Sequence, residues 1–302
     1  MRFLLFSLLL ICFAFAKSSA QDLPARKAGS QYRGNESDQV QIDPRAYETD
    51  RTLWQDFTYD MGNVFKSTGF AYSRPLYWQG DDFLKFGGVA VTTFGLYTID
   101  TDIRREFGVQ RDYIPEPILD YGTYAGNPQN SYGAMGAVYL YGLFTRNEKL
   151  RRTGVLLIAS ATATGFVQQL AKSAVGRARP EAGLGKHFFK PFGGSSAYRS
   201  FPSGHTVLTF TSAHVIAKQF KSPWVKAGIY AVGLIPGLSR IYNDAHWASD
   251  VFLSLAMSYF MVEAIDFYLD RKYAQKYNPK EPHSSTLSLT FGGGGIGAVY
   301  AF

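Results

Sequence analysis

Between Asp50 and Arg271, apolar and aromatic side chains return every three or four residues in seven successive segments, and nowhere in that stretch do they alternate with period two. That pattern confines the middle of the chain to an all-α bundle of about six to seven helices. Trp54, Phe57, Met61 and Phe65 set the first helix, which ends before Ser73-Arg74-Pro75. The others are expected over Asp81 to about Arg105, Ser131 to Phe144, Arg152 to about Gly176, Gly204 to Phe220, Pro223 to about Leu238 and Ala245 to about Arg271. On the last of these, Asp250, Ser254, Ser258 and Asp266 recur at multiples of four and mark the polar stripe of an amphipathic helix. A hydrophobic fraction of 46% leaves ample material for one core.

The two ends read differently. Phe3 to Ala16 is an apolar run of about 14 residues, short for a hydrocarbon layer about 30 Å thick, and Ser18-Ser19-Ala20 before Gln21 fits a signal-peptidase site. Residues 1–20 are therefore expected to be a secretion signal, 21–49 a polar flexible leader, 50–280 the helical domain and 281–302 a tail. In the tail, Thr286 to Phe291 and Ile296 to Phe302 flank Gly292 to Gly295, the pattern of a short β-hairpin. The lone cysteine, Cys12, falls inside the signal, so the mature chain has no thiol for a disulfide or a metal. Without Arg2 and Lys17, Lys plus Arg falls from 31 to 29 against 24 acids, a net charge of +5. This mild balance suits an anionic substrate or a membrane surface, and no run of Lys and Arg interleaved with aromatics points to nucleic acid. The apolar, aromatic and glycine content of the helices leans toward a membrane, with a soluble periplasmic bundle as the alternative.

Three separated segments carry the chemistry: Lys172-Ser-Ala-Val-Gly-Arg-Ala-Arg179-Pro180, Pro202-Ser203-Gly204-His205, and Ser239-Arg240-Ile-Tyr-Asn-Asp-Ala-His246-Trp-Ala-Ser-Asp250. His246 and Asp250, four apart at an expected helix start, share a face, so the carboxylate is placed to accept a hydrogen bond from one ring nitrogen and leave the other free. Such pairs also cap helices or fill polar pockets. Pro202 and Ser203 read as a helix start whose free amides face an anion, with Gly204 allowing close approach and Ser203 equally suited to plain capping. His205 is a general-acid candidate. Lys172, Arg179 and Arg240 supply positive charge for phosphoryl oxygens, although each alone is also a favourable cation at a helix C-terminus. Arg177 lies off this spacing and is set aside. His187 lines the site mouth or is simply exposed, and His214 reads as a satisfied core or interfacial histidine. Five histidines and no mature cysteine give no closed metal-ligand set.

These segments resemble the three-part signature of the type 2 phosphatidic acid phosphatases, whose wider superfamily includes soluble bacterial acid phosphatases and the vanadium-dependent haloperoxidases. The resemblance implies a helical domain in which His246 is the nucleophile that forms a phosphohistidine and Asp250 orients it. It also implies that His205 protonates the leaving group and that Lys172, Arg179, Ser203, Gly204 and Arg240 bind the phosphate. The expected activity is metal-independent and cofactor-free hydrolysis of phosphate monoesters or diphosphates, foremost of lipid phosphates, in the cell envelope. The alternatives are a soluble periplasmic non-specific acid phosphatase, a vanadate-dependent haloperoxidase in which His246 ligates vanadate, and a non-catalytic envelope protein on the same scaffold.

Overall fold

The computed structural model describes residues 51–277, 286–292 and 295–301. The expected signal at 1–20 and leader at 21–49 lie outside the described residues. Eight α-helices occur among them: α1 Leu53–Ser73, α2 Gly80–Gln110, α3 Glu116–Ala125, α4 Pro128–Phe144, α5 Glu148–Val175, α6 Gly204–Ala217, α7 Pro223–Tyr242 and α8 Ala248–Tyr277. Strands β1 Thr286–Gly292 and β2 Gly295–Ala301 pair antiparallel with each other. The count exceeds the expected six to seven because α3 is only 10 residues long, starts after Pro115 and ends at Gly126-Asn127-Pro128. That punctuation disguises an amphipathic turn pair that buries Leu119 and Gly122.

The helix boundaries follow local chemistry. Thr52 and Gln55 form a reciprocal capping box that starts α1, and Arg74-Pro75 ends it. The Asn147 side chain accepts from the Leu150 amide at 3.1 Å and starts α5. α5 closes on Gly176 at φ +61, where an added Cβ would meet the Lys190 carbonyl oxygen, so only glycine fits both the left-handed turn and the packing.

α5 is the central element and packs on α1, α4, α6 and α8. Val155, Leu156, Leu157, Val215, Val262, Ile265 and Leu269 form the main core, and a second cluster joins Ile103 of α2 to Ile241, Ala248 and Val251. The polar stripe of α8 does not face solvent. Asp250, Ser254, Ser258 and Asp266 are all buried, with Ser254 returning its hydroxyl to the Asp250 carbonyl at 2.8 Å and Ser258 donating to Val207 at 3.2 Å. Small hydroxyl residues find acceptors within α8 or on α6 and let α6 approach, so the stripe is an internal seam.

Two helical stretches, Glu148–Val175 and Ala248–Ala274, are long and apolar enough to cross a membrane, yet about half of each apolar window (56% and 50%) is buried inside the bundle. The first half of α2 is apolar and exposed, with Phe83, Leu84, Phe86, Val91 and Phe94 uncovered.

Candidate active site

The three motif segments meet where α5 ends and α6 and α8 begin. Lys172 occupies the last turn of α5, and Gly176 turns the chain into an extended run that carries Arg177 to Pro180. Arg179 is extended (φ −70, ψ 151), as a residue before proline must be, and begins a 3₁₀ turn over Pro180–Ala182. Backbone bonds tie this run to the other two segments: Ser200 N to Arg177 O at 3.0 Å, Arg179 N to Ala197 O at 2.8 Å, and Glu181 N to Asp244 O at 2.9 Å. Arg240 lies in the last turn of α7, which runs to Tyr242 instead of stopping near Leu238, and its carbonyl accepts from the His246 amide at 3.2 Å.

The largest departure from expectation concerns His246. α8 starts at Ala248, so His246 precedes the helix and the shared-face geometry with Asp250 does not arise. Its Nδ1 lies 2.5 Å from the Ser200 carbonyl oxygen and 3.9 Å from Asp250 Oδ2. A carbonyl only accepts, so Nδ1 carries the proton and Nε2 keeps its lone pair. The outcome is the tautomer expected of a nucleophile, reached through a backbone carbonyl instead of the carboxylate. Asp250 is already engaged: Oδ1 accepts from Arg177 Nη1 at 2.6 Å, and Oδ2 accepts from the Ser200 hydroxyl at 2.5 Å and the Trp247 amide at 3.0 Å. Burial pushes its carboxyl up, but His246, Arg177 and the Ser200 hydroxyl outweigh that and hold it below the ordinary range.

Ser203 takes the N-cap position of α6, yet its hydroxyl accepts from Thr206 Oγ1 at 2.9 Å and no side chain caps the first turn. Plain capping is thereby excluded as its role, and the first amides of α6 are left to an anion. Gly204 is less open than expected, since a Cβ there would sit 3.4 Å from Gln168 Nε2, which itself donates to Pro202 O at 3.0 Å.

Positive charge dominates the space in front of α6. Burial, reinforced by Arg179 and Arg199, lowers the Lys172 ammonium to about 8. Burial, then the charges of Arg240, His246, Lys172 and Arg179, lowers His205 to about 4. His246 is likewise pushed to about 4 by burial, with Asp250 opposing and Lys172 and Arg179 adding to the fall. Arg240 Nη1 stands 3.5 Å from His205 Nε2, and Arg179 Nη1 donates to Glu181 at 3.1 Å. Arg179 Nε and Arg240 Nε are both buried without a partner among the described residues. Two orphaned guanidinium donors, an uncapped helix start and mutually repelling cations define a cradle suited to an anion. Among the described residues no group of three or more His, Cys, Asp or Glu side chains is arranged to hold a metal ion.

Several participants escaped sequence reasoning. Arg177, set aside for its spacing, is buried and bridges Asp250 to Asp100 of α2, with Nη2 at 2.8 Å from Asp100 Oδ2. Ser200 serves both Asp250 and His246, through its hydroxyl and its carbonyl. Gly126, after α3, lies so close to the His205 ring that an added Cβ would stand 2.5 Å from Cδ2. His187 hydrogen-bonds Tyr97 at 2.7 Å at the rim, and buried His214 is satisfied by Tyr230 at 2.7 Å and Glu263 at 2.9 Å. A buried arginine inside a motif segment was the available signal for Arg177; nothing local marks Ser200 or Gly126.

Comparison with known proteins agrees with this geometry. Residues 153–271 match the family model of the PAP2 superfamily, a span that contains every motif residue. The chain is 36% identical over 105 residues to a lipid A 1-phosphatase of Rhizobium johnstonii, covering 34% of this chain and 42% of that protein. It is 35% identical over 105 residues to the enzyme of the same name from Rhizobium etli (34% and 44%), and 32% identical over 109 residues to that of Porphyromonas gingivalis (34% and 22%). The matched segments thus span less than half the length of these curated relatives. No solved structure matches. The likeness to the PAP2 superfamily thus lies in the segment 153–271, which carries all three motif segments.

Proposed function

We propose that this chain is an envelope phosphatase that hydrolyses lipid phosphate esters through a phosphohistidine on His246, with no metal or cofactor. The observation that carries this reading is the pairing of a His246 tautomer whose Nε2 lone pair is free with two unpartnered buried arginine Nε donors, those of Arg179 and Arg240. A phosphoryl group in the cradle gives those donors, the Lys172 ammonium and the α6 amides an acceptor, and its equatorial oxygens receive their charge. His246 Nε2 then forms the N–P bond as the P–O bond to the leaving group breaks, and His205 gives that oxygen a proton. Water next attacks phosphorus, His205 takes its proton, the N–P bond breaks and inorganic phosphate leaves.

His205 must be protonated for the first step, although the protein alone holds it near 4. Burial is the larger cause of that fall; bound phosphate offsets it by placing negative charge beside the ring and against Arg240, His246, Lys172 and Arg179. Residues 1–20 act as the secretion signal and 50–280 as the catalytic domain. The curated relatives are named lipid A 1-phosphatases, which makes lipid A and related lipid phosphates the leading substrates. The exposed aromatics of α2 and the apolar stretches of α5 and α8 support work at a lipid surface.

The test is a substrate panel with the mature protein: lipid A, phosphatidic acid, phosphatidylglycerophosphate, a polyprenyl diphosphate and a soluble aryl phosphate, each with and without chelator. Release of phosphate from a lipid, retained in chelator and lost in His246→Ala, is expected. Hydrolysis of the soluble ester alone would favour the acid-phosphatase reading, and loss in chelator restored by magnesium would overturn the metal-free mechanism.

A further inference from the structure

The site reaches beyond the segment that carries its signature, into α2. Asp100 is buried in the middle of that helix, at the end of a run from Phe86 to Ile99 that holds no charged residue. Its Oδ2 accepts from Arg177 Nη2 at 2.8 Å and from Ser249 Oγ at 2.6 Å, and its Oδ1 accepts from the Ser249 amide at 3.0 Å. Arg177 spends its other Nη1 contacts on Asp250 at 2.6 Å and Ser249 at 2.8 Å. Its Cζ stands 4.8 Å from the Tyr97 ring centroid and 5.3 Å from that of Trp247. Side-chain exposure is 2% for Arg177 and 0% for both carboxylates. A buried carboxylate–guanidinium–carboxylate cluster is weak evidence for stability, because desolvation offsets the attraction and an apolar cluster of the same volume is often as good. Its position is more telling, since it ends on the groups that hold His246.

We infer that Asp100 is a positioning residue for the proposed reaction: through Arg177 it fixes the Asp250 carboxylate, and through Asp250 and Ser200 it sets the orientation of the His246 ring. This rests on the reading of His246 as nucleophile. The relay runs by contacts already given: Asp100 to Arg177, Arg177 to Asp250 Oδ1, Asp250 Oδ2 to the Ser200 hydroxyl, and the Ser200 carbonyl to His246 Nδ1. Asp100 also supplies charge. Arg177 alone would cancel Asp250, whereas two carboxylates and one guanidinium leave a net negative charge beneath a ring that becomes cationic as it takes the phosphoryl group. α2 lies outside residues 153–271, so the family segment depends on a carboxylate delivered by a helix that the signature does not include.

The experiment compares full-length wild type with Asp100→Asn, Ser249→Ala and Asp102→Asn, using phosphatidic acid in mixed micelles and a soluble aryl phosphate. Asp102 is the charge control: it sits on the same helix, its side chain is 61% exposed, and it pairs only with Arg105 among the contacts seen at 3.0 Å. A relay that acts on the nucleophile lowers kcat and leaves ground-state binding by the cationic cradle intact. Asp100→Asn is expected to lose about 10-fold or more in kcat with KM within about twofold, the size of effect that outer partners of a positioned ligand have elsewhere. Ser249→Ala, which loosens the cluster without changing its charge, is expected to lose severalfold less, and Asp102→Asn nothing. A kcat for Asp100→Asn within twofold of wild type would overturn the inference. So would a loss that vanishes when activity is divided by the folded fraction from near-UV circular dichroism. Should Asp100→Asn fail to fold, an unchanged kcat in Ser249→Ala overturns it. His246→Ala in the same assay separates the two readings: if it is inactive and Asp100→Asn is normal, only the relay fails, and if it is active, both fail.

Discussion

Sulfate stays a dianion across the whole range in which histidine titrates, so any proton taken up when it enters the cradle belongs to the protein. His205 falls from 6.5 to about 4 in the protein alone, through burial first and then Arg240, His246, Lys172 and Arg179. That fall corresponds to about 3 kcal/mol between the two protonation states. One negative charge about 4 Å from the ring, at an effective dielectric near 20, contributes about 4 kcal/mol in the opposite direction. Anion binding is therefore large enough to return His205 to its ordinary range or above. The sign is fixed: a group whose affinity for a proton rises on binding takes one up, so sulfate should bind more tightly as the pH falls from 7 to 5. At pH 6 the free ring is almost wholly neutral and the bound ring more than half protonated, giving an uptake of roughly 0.5 to 1 proton. Calorimetry in two buffers of different ionisation enthalpy measures this number directly. His205→Asn should bind sulfate with a smaller uptake, the remainder belonging to His246, which faces the same anion from about 4. No uptake in wild type, or equal uptake in the variant, would refute the claim that phosphate arms the general acid.

Other consequences are open to measurement. Arg179→Lys and Arg240→Lys keep the charge but lose the forked contact, and each should cost about 10²-fold in kcat; near wild-type rates in both would place these arginines outside the cradle. Gly126→Ala puts a Cβ 2.5 to 2.7 Å from three His205 atoms, so it should displace the ring and lower kcat by up to about 10²-fold while the fold persists, which circular dichroism and steady-state kinetics would show together. Arg151, at the opposite end of α5, pairs with Asp56 at 2.5 Å and with the fully buried Asp60 at 2.7 Å. Arg151→Met should therefore destabilise the fold by roughly 3–5 kcal/mol. Because it lies about 30 Å along the helix from Lys172, kcat per folded molecule should be unchanged; a denaturant melt beside an active-site titration checks both.

The parts of this molecule legible in the sequence are those with local causes. Helical periodicity and the Pro180 exit are properties of short windows, and seven of the eight helices were expected from the periodicity. α3 was not, because prolines and a Gly-Asn-Pro exit look like a loop and its apolar face is only two turns long. The motif residues that meet around the cradle, Lys172, Arg179, Ser203, His205 and Arg240, were legible as types at fixed spacing. The wiring behind them was not. Asp250 was expected on His246, but α8 starts three residues later than expected and Nδ1 meets the Ser200 carbonyl, a backbone acceptor with no sequence signature. Arg177 and Asp100 are 77 residues apart, and only tertiary packing, with α2 laid against α8 beside the run that follows α5, brings them within 2.8 Å. The α8 stripe carried the right residues with the wrong environment, since periodicity cannot tell a polar seam between helices from a wet face.

The account stands on His246 as the nucleophile. Rapid quench of a single turnover with phosphorus-labelled lipid phosphate, followed by proteolysis and mass mapping under alkaline conditions, reads that directly. An acid-labile phosphoryl group on the peptide that contains His246, formed and consumed at the rate of turnover and missing in His246→Ala, is the predicted result. Label on any other residue, or turnover at the wild-type rate in His246→Ala, would contradict it.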